Sequence, residues 1–376
     1  MSTHNSADVV IVGAGIIGLS SAYFLAKNGL DVTIIEKDSI GSHASGFAYG
    51  SLSPLGEAGL SKEIISELSI GRLGMSLHKQ LAIDLPNLTG IDTEYRIRPS
   101  MDLSFADHEA EEAQLNMQWQ EKEDGYKVRW LKRDEVFKLI PIVSNHIRGA
   151  VYTEGVADVE PYKLVLGLTQ ACEDMGVMIK HGCVTNVDTG PEGVRKISTR
   201  TEDIFCKYVI LAMGPWATNS SSWLGMNVPI RPLKGQILRL KAAIAPINCS
   251  IGWNGNYACS KPDGLIWTGT TEEEDGFDEN PTSAGRDAIM KSLIKMLPSL
   301  GDARLVQQTA CLRPISPDGR MILGEIPDIK GILIGTGTGR KGILLGPAVG
   351  YILSSIICTR IPPVNIDHFS IGRFRS

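Results

Sequence analysis

The sequence predicts an α/β protein: a discontinuous domain around a mostly parallel sheet, joined to an α+β domain built on an antiparallel sheet. Two observations carry this. Strand, glycine turn and helix follow one another near both ends of the chain, at residues 9–28 and again at 332–358, an order that builds parallel sheets covered by helices. Between them, residues 236–240 alternate apolar and polar side chains and residues 257–271 read as a hairpin, the pattern of antiparallel strands.

Composition sets the outer bounds. The 376 residues are 43% hydrophobic and 21% charged, enough apolar material for more than one core. A formal charge of -5 argues against nucleic acid as the main partner, because phosphate binding needs a basic surface. The seven cysteines are scattered and form no Cys-x-x-Cys pair, which suits a reducing, cytoplasmic setting and gives no zinc signature. His4, His43, His78, His108, His146, His181 and His368 have no metal-like spacing, so no metal is expected. Residues 343–358 are apolar but contain Gly346, Pro347 and Gly350, and the run is shorter than the roughly 20 residues of a spanning helix. It reads as a buried helix, and no transmembrane segment is expected.

The first element is Val9-Val10-Ile11-Val12, an unalternating β-branched run suited to a strand buried on both faces. Gly13-Ala14-Gly15-Ile16-Ile17-Gly18 follows directly, then a helical pattern to Asn28, a stop at Gly29, and a second strand, Val32-Thr33-Ile34-Ile35, ending in Glu36 and Lys37. Gly13 permits the tight turn, Gly15 lets backbone approach a pyrophosphate, and Gly18 lets helix pack on strand. The helix start at Ile16 and Ile17 offers free N–H groups and a partial positive charge. Glu36 stands where a carboxylate accepts hydrogen bonds from ribose hydroxyls. This is the dinucleotide grip of a Rossmann-like domain. It disfavours NADP and does not separate NAD from FAD.

Beyond Glu36, the loop Gly41-Ser42-His43-Ala44-Ser45-Gly46-Phe47-Ala48-Tyr49-Gly50 is rich in small and hydroxyl residues. It suits contact along an extended cofactor, and equally an ordinary polar loop. Residues 104–124 read as a charged helix with a solvated face and no chemistry. A short helix spans 132–139, ended by Pro141, and another spans 161–175 with Pro161 in its first turn. A strand is expected around 178–187, then Tyr208-Val209-Ile210-Leu211 running into Ala212-Met213-Gly214-Pro215-Trp216. The acidic run Glu272-Glu273-Glu274-Asp275 reads as a surface loop. Ile332-Leu333-Ile334 is the last strand, and Gly335-Thr336-Gly337-Thr338-Gly339-Arg340-Lys341-Gly342 leads into a helix near Ile343. That is a second backbone-lined loop at a helix N-terminus, suited to negative charge.

Taken in order, the 42–50 loop, the 208–216 strand and turn, Pro232-Leu233-Lys234-Gly235-Gln236, Leu312-Arg313-Pro314 with Pro317-Asp318-Gly319, and the 335–343 loop resemble the D-amino-acid oxidase/glycine oxidase/sarcosine oxidase family of FAD enzymes. The pattern is closest to the glycine oxidase branch. The resemblance covers nearly the whole chain and is weakest between about Glu57 and Ile147. It implies an FAD-binding domain of the glutathione-reductase type from residues 1–78, 148–226 and 308–376, and a substrate domain from 79–147 and 227–307. It implies cofactor contacts, besides the first glycine motif, Glu36 and Lys37, at Ser42, Ala44, Ser45, Gly46, Ala48, Tyr49 and Gly50, and through the backbone of Val184. Further contacts are implied at Ala212, Gly214, Trp216 and Gly235, and at Gly337, Gly339, Arg340, Lys341, Gly342 and Ile343. The helix start at Ile343 would face the pyrimidine edge of the isoalloxazine.

The implied activity is oxidation of a small amino acid: glycine, an N-substituted glycine such as sarcosine or iminodiacetate, or a D-amino acid. Hydride passes to flavin, the imine hydrolyses to an oxo acid, and molecular oxygen is the expected acceptor. Arg313 matches the arginine that pairs with the substrate carboxylate, a task that suits a bidentate fork. Tyr257 matches a tyrosine that helps hold it, and reads equally as a core or edge-strand tyrosine. Arg340 is a candidate for contact with flavin or substrate. Lys341 either recognises a second acidic group or points to solvent. Cys311 lies near the flavin-linking cysteine of the sarcosine oxidase branch, but that branch lacks an arginine two residues on, so noncovalent FAD is expected. A 2-hydroxy acid oxidiser, a quinone-linked dehydrogenase, and a noncatalytic flavin-bearing subunit of a larger complex remain as alternatives; a homo-oligomer is compatible with any of these.

Overall fold

The strand Ser6–Val12 lies between Val32–Glu36 and Asp203–Leu211, parallel to both. That position buries Val9, Val10 and Ile11 completely, which is why the run carries no polar alternation. Met178–His181 continues the parallel sheet beyond Val32–Glu36, and Ile332–Thr336 continues it beyond Asp203–Leu211. Antiparallel strands Val184–Gly190, Gly193–Thr199 and Ile322–Glu325 complete it. The single strand expected at 178–187 is therefore two strands, Met178–His181 and Val184–Gly190, on opposite sides of the sheet. These facts come from a computed structural model that describes residues 5–55 and 62–375; His4 and Glu57 lie outside the described residues.

Two helices cover one face of this sheet. Ile16–Lys27 packs against Gly342–Thr359, and glycine sets the spacing between them. A Cβ on Gly346 would lie 2.6 Å from Ile16 Cγ1, and one on Gly350 would lie 2.6 Å from the backbone nitrogen of Ser21. The stretch Gly339–Thr359 is long and apolar enough to cross a membrane, but 72% of its most apolar window is buried inside the fold. Its apolarity is that of a core helix.

The second sheet runs Arg304–Ile315, Arg231–Lys241, Ile266–Gly269, Asn256–Ser260, Ser250–Trp253, Ser100–Ser104, Gly149–Glu154, Lys127–Lys132. Neighbours are antiparallel except Ser250–Trp253 with Ser100–Ser104. The expected hairpin is present as Asn256–Ser260 with Ile266–Gly269. Gly149–Glu154 and Arg304–Ile315 find their ladder partners in this sheet rather than in the parallel one, and unpaired backbone inside the fold would be costly.

Helix Lys62–Thr89 lies against the start of Gly342–Thr359. His78 is buried, with Nε2 2.8 Å from the carbonyl of Ile343. One turn earlier, a Cβ on Gly74 would come within 2.3 Å of the Leu344 carbonyl. Burial pushes the His78 pKa down to about 4 against the raising effect of those backbone contacts. As the pH falls below 6.5 the unfolded chain takes up a proton that the folded chain resists until about 4, so stability is full above 6.5 and is lost through that window. Between pH 7.5 and pH 5 this one group should cost about 2 kcal/mol. Denaturant unfolding at the two pH values should show a correspondingly smaller loss in His78→Gln; equal losses would refute the assignment.

Candidate active site

A cleft of about 510 Å³ opens between the two sheets. On one side it is lined by Gly15, Ile16 and Ile17, by Ala44, Ser45, Ala48, Tyr49 and Gly50, by Ala212 and Gly214, and by Gly339, Arg340, Lys341, Gly342 and Ile343. The two helices that start here, at Ile16 and at Gly342, have no acidic residue in the first turn. Both direct positive dipole ends and orphan N–H groups to one cleft. The first turn is built by close approach: Gly13 has φ +108° and a Cβ there would lie 2.4 Å from the Ala212 carbonyl. Gly18 is tighter, since its Cβ would lie 1.9 Å from the Gly13 carbonyl. Ser45 Oγ accepts from the Ile16 N–H at 3.0 Å, tying the 42–50 loop to the helix start.

Glu36 ends its strand with Oε2 accepting from the Ala14 N–H at 2.7 Å and Oε1 from the Asp38 N–H at 2.9 Å. A carboxylate has about four acceptor positions, so capacity is left for a ribose. Together the backbone amides, the two dipoles and this acid fit a long, anionic dinucleotide.

Not every expected contact faces this cleft. Ser42 and Gly46 line a second cavity, of about 750 Å³, behind the loop. Lys37 Nζ sits 3.7 Å from the centre of the Trp216 ring, which also packs on His43 at 4.6 Å. His43 bonds to Glu279 and Asp38, so it fastens the loop to the segment that carries Glu279. The side chain of Val184 is buried beside Val187 and Ile197. Gly337, φ +74°, is a turn packed against Met321 and Ile322.

The opposite wall carries the expected substrate groups. Arg313 projects from Arg304–Ile315 across Gly235 of the neighbouring strand, where a Cβ would lie 2.1 Å from its NH2. Its NH1 donates to the Thr271 carbonyl at 3.0 Å and its NH2 to Thr270 Oγ1 at 2.6 Å. Five N–H donors with two so used leave three. Tyr257 has room because Gly269 has no Cβ; one there would lie 2.8 Å from the phenol oxygen. Its ring stacks on Tyr49 with centroids 3.8 Å apart. Burial raises the Tyr257 pKa against the lowering pull of Arg313 and Arg340, so the hydroxyl stays protonated and can donate. Arg340 donates to the Gly255 carbonyl at 2.5 Å and stands 3.6 Å from Glu272. Lys341 lines the cleft and pairs with Glu67. Cys311 lines the cleft next to Arg313 as a buried free thiol whose pKa burial raises.

Several cleft residues escaped the sequence reading. Ala113, Asn116 and Gln120 line it: their helix, Asp107–Gln120, has the expected solvated face, with Asp107, His108, Glu111 and Glu112 exposed, and a second face on the cleft that the sequence reading did not name. The spacing of Ala113, Asn116 and Gln120 by three and four residues, on one face of a helix, was the available signal. Asp102 and Thr270 also line the cleft, and no local motif marks them.

The family model described as FAD dependent oxidoreductase, DAO, matches residues 8–356. The chain is 30% identical to a glycine oxidase of Pseudomonas aeruginosa over 362 residues, 96% of this chain and 97% of that one. It is 27% identical to a hydrogen cyanide synthase subunit of the same species, over 98% of this chain and 96% of the relative. The crystal structure of glycine oxidase from Geobacillus kaustophilus superimposes with a TM-score of 0.93 at 26% identity, covering 99% of this chain and all of that one. With two helix starts, a ribose-ready acid and a glycine-lined cleft already in place, the match completes the assignment: the chain belongs to the DAO family of FAD-dependent oxidoreductases.

Proposed function

We propose that the chain oxidises the C–N bond of a small amino acid: glycine, an N-substituted glycine such as sarcosine or iminodiacetate, or a D-amino acid. The observation that carries this is the Arg313 fork, seated over Gly235 and facing the cleft beside the Tyr257 phenol. A guanidinium with donors to spare binds a carboxylate bidentately, and a protonated phenol adds a third donor. Bound FAD supplies the two-electron acceptor. The cleft's own groups orient the substrate so that its carbon–hydrogen bond next to nitrogen faces that acceptor, and they shield it from bulk water. Loss of two electrons and two protons, a hydride from carbon and a proton from nitrogen, leaves an imine, which water hydrolyses to an oxo acid and an amine or ammonia. Molecular oxygen is the proposed electron acceptor, and the cytoplasm the proposed location, the latter supported by the seven free cysteines.

Anaerobic mixing with glycine, sarcosine, iminodiacetate, D-alanine and D-proline should bleach the visible flavin band for at least one of them, with peroxide appearing on aeration. Bleaching by none would overturn the substrate class; bleaching without peroxide would replace oxygen by another acceptor. Acid denaturation should release free flavin, because we propose noncovalent binding: the raised pKa of Cys311 disfavours the thiolate needed for a thioether. Flavin remaining on the polypeptide would reverse that.

A second reading has one observation in its favour. The similarity to a cyanide synthase subunit supports a flavin-bearing subunit that passes electrons to partner proteins. Dye reduction without peroxide is the result that would favour it.

A further inference from the structure

The carboxylate-binding fork rests on a polar cluster buried behind it. Arg313 is held by the Thr270 hydroxyl and the Thr271 carbonyl, two residues that follow the strand Ile266–Gly269. Thr271 is held in turn: its Oγ1 accepts from the Gln236 N–H at 3.0 Å and donates to Glu273 Oε1. Gln236 is fully buried. Its Nε2 donates to the same Glu273 oxygen at 2.7 Å and to Thr282 Oγ1 at 2.9 Å, and its Oε1 accepts from the Thr282 N–H at 2.9 Å and from Gln308 Nε2 at 2.7 Å. That is the full capacity of a carboxamide. Gly285 closes over it, where a Cβ would lie 2.2 Å from Nε2.

Glu273 belongs to an acidic run whose neighbours Glu272, Glu274 and Asp275 are exposed or bonded outward. Its own backbone makes both hydrogen bonds of a bridge with Lys234, each 3.0 Å, which turns its carboxylate inward to Thr271 and Gln236. The bridge, the carboxylate and the carboxamide thus converge on the peptide that sets the direction of the Arg313 fork. The centre of the cluster, Gln236, is buried with every carboxamide donor and acceptor used, which makes it rigid, and bidentate recognition depends on angle as well as distance.

We propose that Glu273 and Gln236 are positioning residues for carboxylate recognition, acting through Thr271 on Arg313. This rests on the reading of Arg313 as the carboxylate-binding residue. Neither side chain lines the cleft, so their effect passes through the fork alone.

The test uses holoenzyme and glycolate, the hydroxyl analogue of glycine, with binding followed by the change in flavin absorbance. Glu273→Ala should raise the glycolate Kd roughly tenfold, as expected when a recognition group is held at a poorer angle, with flavin content unchanged. Glu273→Gln should restore most of the affinity, since an amide oxygen can accept the same two bonds. In an Arg313→Ala background the Glu273→Ala effect should vanish, which a purely structural role would not produce. Thr271→Val, which keeps the carbonyl and removes the hydroxyl, decides the matter if Glu273→Ala fails to fold. Weakening by Arg313→Ala but by neither Glu273→Ala nor Thr271→Val overturns the proposal and leaves the role of Arg313 intact. No weakening by Arg313→Ala overturns the reading beneath it.

Discussion

Arg313→Ala should leave the flavin in place and raise the KM for a carboxylate substrate by about a hundredfold, with a smaller change in kcat. Two charge-assisted hydrogen bonds would be lost, together worth about 3 kcal/mol. The truncation also removes the Arg313 donor from the Thr270 hydroxyl and leaves the Thr271 carbonyl only that hydroxyl, at 3.3 Å, and it strands the substrate carboxylate without its partner in the cleft, which adds a desolvation cost. Arg313→Lys should recover part of the loss and not all of it, because an ammonium is a point charge without the planar fork. Flavin binding is expected to survive because the residues that fit the cofactor's phosphates, at the Ile16 helix start, lie on the opposite wall. Steady-state kinetics and the visible spectrum of the same preparation check both halves. A KM unchanged by the truncation would remove Arg313 from the substrate site.

Gly18→Ala should give protein without bound flavin, if it accumulates at all. The added Cβ would stand 1.9 Å from the Gly13 carbonyl, and the obstacle is backbone, so no rotamer change relieves it. Either the helix Ile16–Lys27 backs away from its strand or the first glycine turn opens. Both move the Gly15 and Ile16 amides out of place. Overpacking of this kind costs typically 1–3 kcal/mol, and the loss of cofactor removes its own linked stabilisation on top. Gly301→Ala is the matched control: its nearest neighbour would be the Pro298 carbonyl at an ordinary 3.6 Å, and its backbone is right-handed. Visible absorbance and melting temperature should be close to wild type in the control and both reduced in Gly18→Ala. A Gly18→Ala protein with normal flavin content would show that the close approach is not needed.

The fold was legible wherever one local rule acts alone. A strand buried on both faces must be apolar throughout, and residues 9–12 are. A helix that starts at a ligand needs glycine where backbone approaches backbone, and Gly13, Gly18 and Gly46 all face a carbonyl oxygen at which a Cβ would clash. The motif singled out Arg313 and the hairpin singled out Tyr257, and both line the cleft. The strand at 178–187 was read as one because periodicity does not reveal which edge of a sheet a segment joins.

What the sequence by itself determined is the cofactor grip, since the spacing of glycines, helix start and terminal acid is a property of consecutive residues. It also marked Gly235 and Arg313 without saying that they touch. Only the tertiary structure decided that the glycine on one strand clears space for the arginine on the next, that the 107–120 helix turns one face to the cleft, that Lys341 is neutralised by Glu67, and that one carboxylate of an acidic run points inward to brace the fork. Those relations join residues far apart in the chain. They are set by sheet register and by the packing of side chains across it, and no spacing along the sequence encodes them.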